Sequence, residues 1–386
     1  MINRRVLILD GMWNKSLAAV RSFGKKGFHV TAGEKTRFAA ALFSRYCHKR
    51  FIYPSPLSQQ EKFIECLANE LMKGNYDAVF PMELSTQLLL TSNRERFSKY
   101  CLIPFADSEK TMQIQDKAFL MKYALNNGFE IPRTYFIENP EQLYEMAAEI
   151  GVPSIIKPRI SSGSRGIVYA TTKDELISSW LKVHRTYPFP IIQECIPSEG
   201  DTYGVGLLLN SESDVRASFV YRRIRSYPVS GGPSTLRESV KRDDVKAIAC
   251  SLLKSLKWTG IAHVEFKIDP RDGRPKLLEI NPRFWGSLEL AIESGIDFPY
   301  LLYEMAVNND IEPVTAYKAG VKLRWLIPGD LMHFLKNPQR LRLSPSFFDF
   351  RIKDDIISLT DPLPTIGRLS SALTFLYDKE MRTLLK

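Results

Sequence analysis

The sequence predicts an α/β domain at the N-terminus, an α+β region from about residue 110, and a C-terminal extension beyond about 311. Three observations lead there. In the first hundred residues short apolar runs alternate with amphipathic helical stripes, the pattern of a parallel sheet with helices on both faces. From residue 110 strand-like runs come in pairs around glycine-bearing turns. After 311 the periodicity fades and prolines recur.

The elements follow in order. Val6–Leu9 reads as a buried strand with Gly11 at the turn after it, and Leu17, Val20 and Phe23 mark a helix ending near Gly24–Gly27. His29–Ala32 is a second strand. Phe63, Ile64, Leu67 and Leu71 mark another helix, and Ala78–Phe80 a further strand ending at Pro81. A helix over 117–126 stops at Gly128, with Pro132 beyond. Strands near Thr134–Ile137 and Ser154–Lys157 flank a helix carrying Leu143, Met146, Ala147 and Ile150; a helix over 174–183 and a strand at Ile191–Glu194 come next. The segments 202–209 and 215–225, joined through Asn210–Asp214, form a hairpin. Val245, Ala249, Leu252 and Leu256 then give a clean helical stripe with Asp243 and Asp244 in its first turn.

Composition narrows the function classes. A chain of 386 residues with 44% hydrophobic and 25% charged residues suits two or three packed soluble units. No apolar run approaches the roughly 18 residues of a membrane helix. Val6–Leu9, followed by Asp10 and Gly11, fits a buried strand better than a signal peptide, so a cytoplasmic location is expected. Five scattered cysteines without CxxC spacing argue against disulfides or zinc, and the five histidines form no HxxxH or HExxH pair. The net charge of +10 is spread along the chain, which favours anionic small molecules as partners over nucleic acid or membrane.

Four segments carry the chemistry. From Ile261 to Arg283 two strand-like runs flank Asp272–Gly273. Glu279 and Asn281, two apart, share a face, and Glu265 approaches it across the hairpin. Two carboxylates and an amide oxygen suit Mg²⁺, which keeps waters and bridges to phosphates. Arg283 can reach the same phosphates or the charge that develops during transfer. A solvent-facing strand carries the same pattern, and Leu277, Leu278 and Ile280 fit strict alternation only loosely.

In the second segment Lys157 ends a strand, and a loop carrying Ser161, Ser162, Gly163, Ser164 and Gly166 follows. Its backbone N–H groups can close over phosphate oxygens, although no GK[ST] occurs and an ordinary turn reads the same way. In the third, Glu194 ends a strand where it can meet an adenine amino group, with Glu199 or Asp201 for ribose hydroxyls; a polar linker is the plainer account. In the fourth, Asp116–Lys117 opens a helix forty residues before Lys157, a place where a lone lysine is usually solvated.

Together these residues, in this order, resemble the ATP-grasp superfamily over roughly residues 1–310. The most specific element is Glu265 followed by Glu279–Ile280–Asn281–Pro282–Arg283. The stretch EINPRFWGSLELAIESGIDFP is similar to the "predicted carboligase" branch, near biotin carboxylase-like and carbamoyl phosphate synthase-like domains. The resemblance implies an N-terminal α/β domain (1–110) and an ATP-grasp domain (111–310). The latter divides into a small subdomain with the phosphate loop (111–192) and a large one with the metal site (193–310), with 311–386 as an extension. It implies that Lys117 and Lys157 bind phosphate and that 160–167 covers it. Glu194, Cys195 and Ile196 become the adenine hinge, Glu265, Glu279 and Asn281 the ligands of Mg²⁺ (or Mn²⁺), and Arg283 the steadying arginine. Ser161, Ser162 and Ser164 depart from the more glycine-rich loop of many members.

The expected activity is a Mg-ATP-dependent carboxylate–amine ligase forming ADP, with small-molecule acid and amine substrates and room for a homodimer. A bicarbonate-activating carboxylase or a non-catalytic nucleotide-binding module are the alternatives; no biotin-carrier lysine motif of the AMKM kind occurs. Arg237 can hold a substrate carboxylate bidentately, or belong to a surface loop. Arg222, Arg223 and Arg225 read as a solvated strand face, and Trp285 as core.

Overall fold

Four parallel strands open the chain: β1 (Arg5–Ile8), β2 (His29–Glu34), β3 (Lys49–Ile52) and β4 (Ala78–Phe80), in the order β3-β2-β1-β4. The structure is a computed structural model describing residues 4–161, 165–229, 231–378 and 380. Val6, Leu7 and Ile8 are fully buried, as expected of a strand covered on both faces. The helix Asn14–Lys25 turns Leu17, Val20 and Phe23 onto this sheet, and the helix Gln60–Gly74 adds Phe63, Leu67 and Leu71.

The second sheet is antiparallel and small: β5 (Thr134–Tyr135), β6 (Ser154–Lys157), β7 (Val168–Ala170) and β8 (Ile191–Glu194), in the order β5-β8-β6-β7. It has its own core, in which Leu143, Ile156, Leu176, Trp180 and Ile192 are fully buried. The helix foreseen around Leu143–Ile150 runs from Pro140 to Met146, started by Asn139, whose side chain accepts from Gln142 N.

The third sheet has seven strands: β9 (Thr202–Leu209), β10 (Val215–Ser226), β11 (Ser234–Ser239), β12 (Gly260–Ile268), β13 (Pro275–Asn281), β14 (Lys322–Arg324) and β15 (Lys353–Asp354). Their order is β13-β12-β9-β10-β11-β14-β15. Both foreseen hairpins are present. Asn210 closes the first by accepting from Glu212 N and Asp214 N, and Gly273 closes the second at φ 72°. The helices Asp243–Ser255 and Lys117–Asn126 pack on one face, Leu252 and Leu253 with Leu120 and Met121 against Leu207 and Val264. The helix that bears Lys117 therefore belongs to the core of the large sheet, not of the small one.

The sheet does not stop near 310. β14 pairs with β11 and β15 with β14, so the segment beyond 311 is built into the large sheet. Its last described helix, Leu363–Tyr377, lies on the N-terminal unit, where a Cβ at Gly367 would meet the Phe43 ring at 2.8 Å. Arg21 donates to Asp361 and to the carbonyls of Asp355 and Ile356. Among the described residues no helix is long and apolar enough to cross a membrane.

Candidate active site

The β12–β13 ladder sets the site. Glu265 lies directly opposite Glu279, and His263 opposite Asn281, so all four side chains share one face. A register shift between the Glu265 and Phe266 pairs leaves Leu278 without a direct partner, a β-bulge. That bulge is why Leu277, Leu278 and Ile280 resisted strict alternation. On the neighbouring β9, Gly204 faces Glu265 and Gly206 faces His263.

Two carboxylates side by side repel, and cations from other elements offset this. Arg223 of β10 pairs with Glu265, and Lys117 Nζ lies 3.4 Å from Glu279 Oε2. Asn281 Nδ2 donates to Glu279 at 3.0 Å, while its Oδ1 accepts from Arg283 at 3.2 Å. Burial works against ionising Glu279, but Lys117, Asn281 and Lys157 together pull it down to about 2. Burial lifts Glu265 above the usual carboxylate range, with Arg223 opposing and Glu279 adding to the lift. Lys157, at the end of β6, meets Gln193 Oε1 at 2.6 Å, and burial pushes its ammonium down to about 8.

The N-terminal unit closes the far side. Lys15 Nζ pairs with Glu83 at 2.6 Å and donates to Phe284 O at 3.2 Å, next to Arg283. Gln87 donates to Pro282 O at 2.9 Å. Burial pushes Lys15 down to about 8, and the nearby Arg283 pushes the same way. Burial alone would raise Glu83, but Lys15 and Arg283 bring it below the usual carboxylate range. Glu83 and Lys15 are thus a matched pair facing the arginine from across a domain boundary.

Lys117, Lys157, Glu265, Glu279, Asn281 and Arg283 come together. Ser161 sits beside them, its carbonyl accepting from Lys117 and Gln115 at 3.2 Å each. Gly166 adopts φ 71°, and a Cβ there would meet Pro158 at 2.7 Å, so the loop's return requires glycine. Ser162, Gly163 and Ser164 lie outside the described residues. The strand end at 194–201 joins the small sheet to the large one. The Glu194 carboxylate is engaged by Arg133 N at 2.8 Å and Arg271 at 3.0 Å rather than open to an amino group. Cys195 N donates to Pro153 O, and Ile196 O accepts from Lys267. Asp201 accepts from Tyr203 and Arg222, and Glu199 is exposed in a turn.

Two readings need correction. Arg237 is 1% exposed and pairs with the equally buried Asp355, so its charge is already matched inside the chain and it presents no face to a substrate carboxylate. The arginines of β10 are not a solvated face. Arg223 holds Glu265, and Arg225 is buried against Asp330 at 2.7 Å; Arg222 alone stands at the surface. Trp285 is core, as expected, and also stacks on His263, whose Nε2 meets the Tyr221 hydroxyl at 3.1 Å. Sequence reasoning missed Arg223, Lys15, Glu83 and Gln87. Only the spacing Tyr221–Arg223, alternate residues of one strand, hinted that Arg223 shares the face of the site; a register shift after Arg223 takes Arg225 off it.

The donor set is chemically coherent. Glu265, Glu279 and Asn281 offer oxygens only, the preference of a hard divalent ion that keeps its waters. Among the described residues no cluster of three or more His, Cys, Asp or Glu side chains has metal-holding geometry. The buried Nε atoms of Arg223 and Arg283 lack hydrogen-bond partners in this structure.

A sequence model of the family described as "ATP-grasp in the biosynthetic pathway with Ter operon" matches residues 208–327, which include β10–β14. The carbamoyl phosphate synthase large chain of Clavibacter michiganensis is 23% identical over 228 residues, 54% of this chain and 21% of that protein. This chain thus spans about a fifth of that relative. The D-alanine–D-alanine ligase of Pelotomaculum thermopropionicum is 24% identical over 220 residues, 50% of this chain and 68% of that protein. Among solved structures, a biotin carboxylase from Campylobacter jejuni superposes with a TM-score of 0.68 at 15% identity, over 82% of this chain and 74% of that one.

Proposed function

We propose, on the footing that this chain carries an ATP-grasp domain homologous to those of carbamoyl phosphate synthase, biotin carboxylase and D-alanine–D-alanine ligase, that it is a Mg-ATP-dependent carboxylate–amine ligase. The observation that carries this is the cross-strand Glu265–Glu279 pair with Asn281, ringed by Lys117, Lys157, Arg223 and Arg283. It has the make-up of a phosphate-transfer constellation: cations for phosphate oxygens and oxygens for a divalent ion.

In this reading Lys117 and Lys157 hold phosphate oxygens, and Arg283 steadies the transferring phosphoryl group opposite a substrate carboxylate. Glu265, Glu279 and Asn281 would hold Mg²⁺, which supplies charge neutralisation between the phosphates. The products of that transfer are an acyl phosphate and ADP; an amine then displaces phosphate through a tetrahedral intermediate. Lys15 and Glu83 present one ammonium and one carboxylate from the N-terminal unit to the acceptor side of Arg283. Positioning and charge account for the catalysis.

Isotope transfer tests it. Oxygen-18 placed in the acid, drawn from panels of carboxylic acids including bicarbonate with amines, should appear in released phosphate alongside ADP. Glu279→Gln should lower that turnover by about 10²–10³-fold, the size typical of losing one charge-stabilising group, while the variant still melts cooperatively, at a lower temperature because Lys117 loses its partner. Label in AMP, or a Glu279→Gln variant that turns over normally, would overturn the reading. Nucleotide binding without ADP formation for any acid tested would favour a binding module.

A further inference from the structure

The segment from Leu331 to Lys353 plays no part in the site, yet it presents an unusual surface. Leu341 is 84% and Phe350 82% exposed, with Leu335 and Phe348 more than half exposed. Large apolar side chains held that far into water mark an interaction surface rather than chance exposure. They are also rigidly carried. Phe334 of the helix Leu331–Lys336 stacks on Phe347 with ring centroids 4.4 Å apart, and Phe348 packs against both rings. Arg324 of β14 donates to Phe347 O at 2.8 Å and Arg225 of β10 to Pro345 O at 2.7 Å. The large sheet therefore anchors the Pro345–Phe348 part of the segment, between Leu341 and Phe350.

The charges between those tips have one sign. Lys336, Arg340, Arg342, Arg351 and Lys353 are exposed along this segment, and no acidic side chain within it is. Arg351 is tied to the half-buried Asp349, and Lys353 to Glu293. For Lys336, Arg340 and Arg342 no ion pair is present among the described residues. Aliphatic and aromatic tips interleaved with lysine and arginine combine apolar insertion with attraction to negative headgroups.

We infer that this surface docks the protein on an anionic lipid bilayer, Leu341 and Phe350 entering the boundary between headgroups and acyl chains while the basic side chains meet lipid phosphates. A second copy of the chain is disfavoured as the occupant, because a two-fold contact would set this basic row against itself in a chain of net charge +10. Single-stranded nucleic acid could stack only on Phe348 and Phe350 and would leave the equally exposed aliphatic tips Leu335 and Leu341 in water, whereas acyl chains cover all four. Contact of this kind involves no spanning segment and leaves the cleft open.

The test is flotation of the full chain with vesicles of phosphatidylcholine alone or mixed with phosphatidylglycerol. Capture should depend on phosphatidylglycerol and weaken as salt is raised. Arg340→Glu combined with Arg342→Glu should reduce it by at least about tenfold, and Leu341→Ser combined with Phe350→Ser should do the same. Both double variants should keep the wild-type melting temperature, since all four side chains are at the surface. No capture of the wild type by phosphatidylglycerol vesicles, or capture unchanged in both variants, overturns the inference. So does a concentration-dependent dimer, in the absence of vesicle capture, that the Leu341→Ser/Phe350→Ser variant breaks, or capture only by an acidic polypeptide.

Discussion

Lys157 shows what single residues reveal. Its ammonium is held at about 8, below the value of 10.5 it would have in the unfolded chain, because burial disfavours the charge. The sign follows directly: below pH 8 the folded state carries a buried charge at a cost, and that cost is relieved as pH rises from 8 towards 10.5. Lys157→Met should therefore raise the melting temperature of the nucleotide-free protein at pH 7 by about 2–4 °C, and abolish the further rise that Mg-ATP gives the wild type. Calorimetry across pH should show the two unliganded curves converging above pH 10. A variant less stable than wild type at pH 7 would contradict this account. At this scale the sequence showed what local spacing can encode. Glu279 and Asn281 share a face because they are two apart, and Glu265 joins them because a hairpin lies between. Arg223, Lys15 and Glu83 were illegible, since Arg223 meets Glu265 across 42 residues, Lys15 meets the Phe284 carbonyl across 269, and Glu83 feels the distant Arg283.

Among elements, β9 acts as the floor under the site. A Cβ at Gly204 would meet Tyr221 at 2.4 Å and His263 at 2.5 Å, and one at Gly206 would meet the Trp285 ring at 2.2 Å. The aromatic stack of Tyr221, His263 and Trp285 occupies the space these glycines leave. Arg283 and the Phe284 carbonyl that receives Lys15 stand immediately before Trp285. Gly206→Val should cost about 1–3 kcal/mol of stability by overpacking, read as a lower urea midpoint. Turnover should fall further than stability alone explains, because Arg283, two residues before Trp285, must shift with the ring. Both hairpins were legible because Asn210–Asp214 and Asp272–Gly273 are local turn chemistry. β14 and β15, with three and two residues, were not: alternation needs more residues than such strands possess.

Across the whole molecule, the segment beyond 311 fastens the N-terminal unit to the large sheet. Arg237 pairs with Asp355, Arg225 with Asp330 and Arg21 with Asp361, and all six side chains are buried. Removing one member of a buried pair costs about 3–5 kcal/mol, against a total stability of about 5–15 kcal/mol for a domain. A chain ending at residue 310 should accordingly fail to give a cooperative thermal transition by circular dichroism; a truncated protein that melts like the full chain would show the segment to be dispensable. The sequence by itself determined the α/β opening, the hairpins, and the shared face of Glu265, Glu279 and Asn281, because each is written in periodicity or turn chemistry over a few neighbouring residues. Tertiary structure alone decided that Arg223 serves the site while Arg237 is sealed in the interior, that the helix of Lys117 packs on the large sheet, and that the last segment completes that sheet. Whether a buried charge faces a ligand or a partner depends on which distant strand lies opposite it, and no local pattern carries that information.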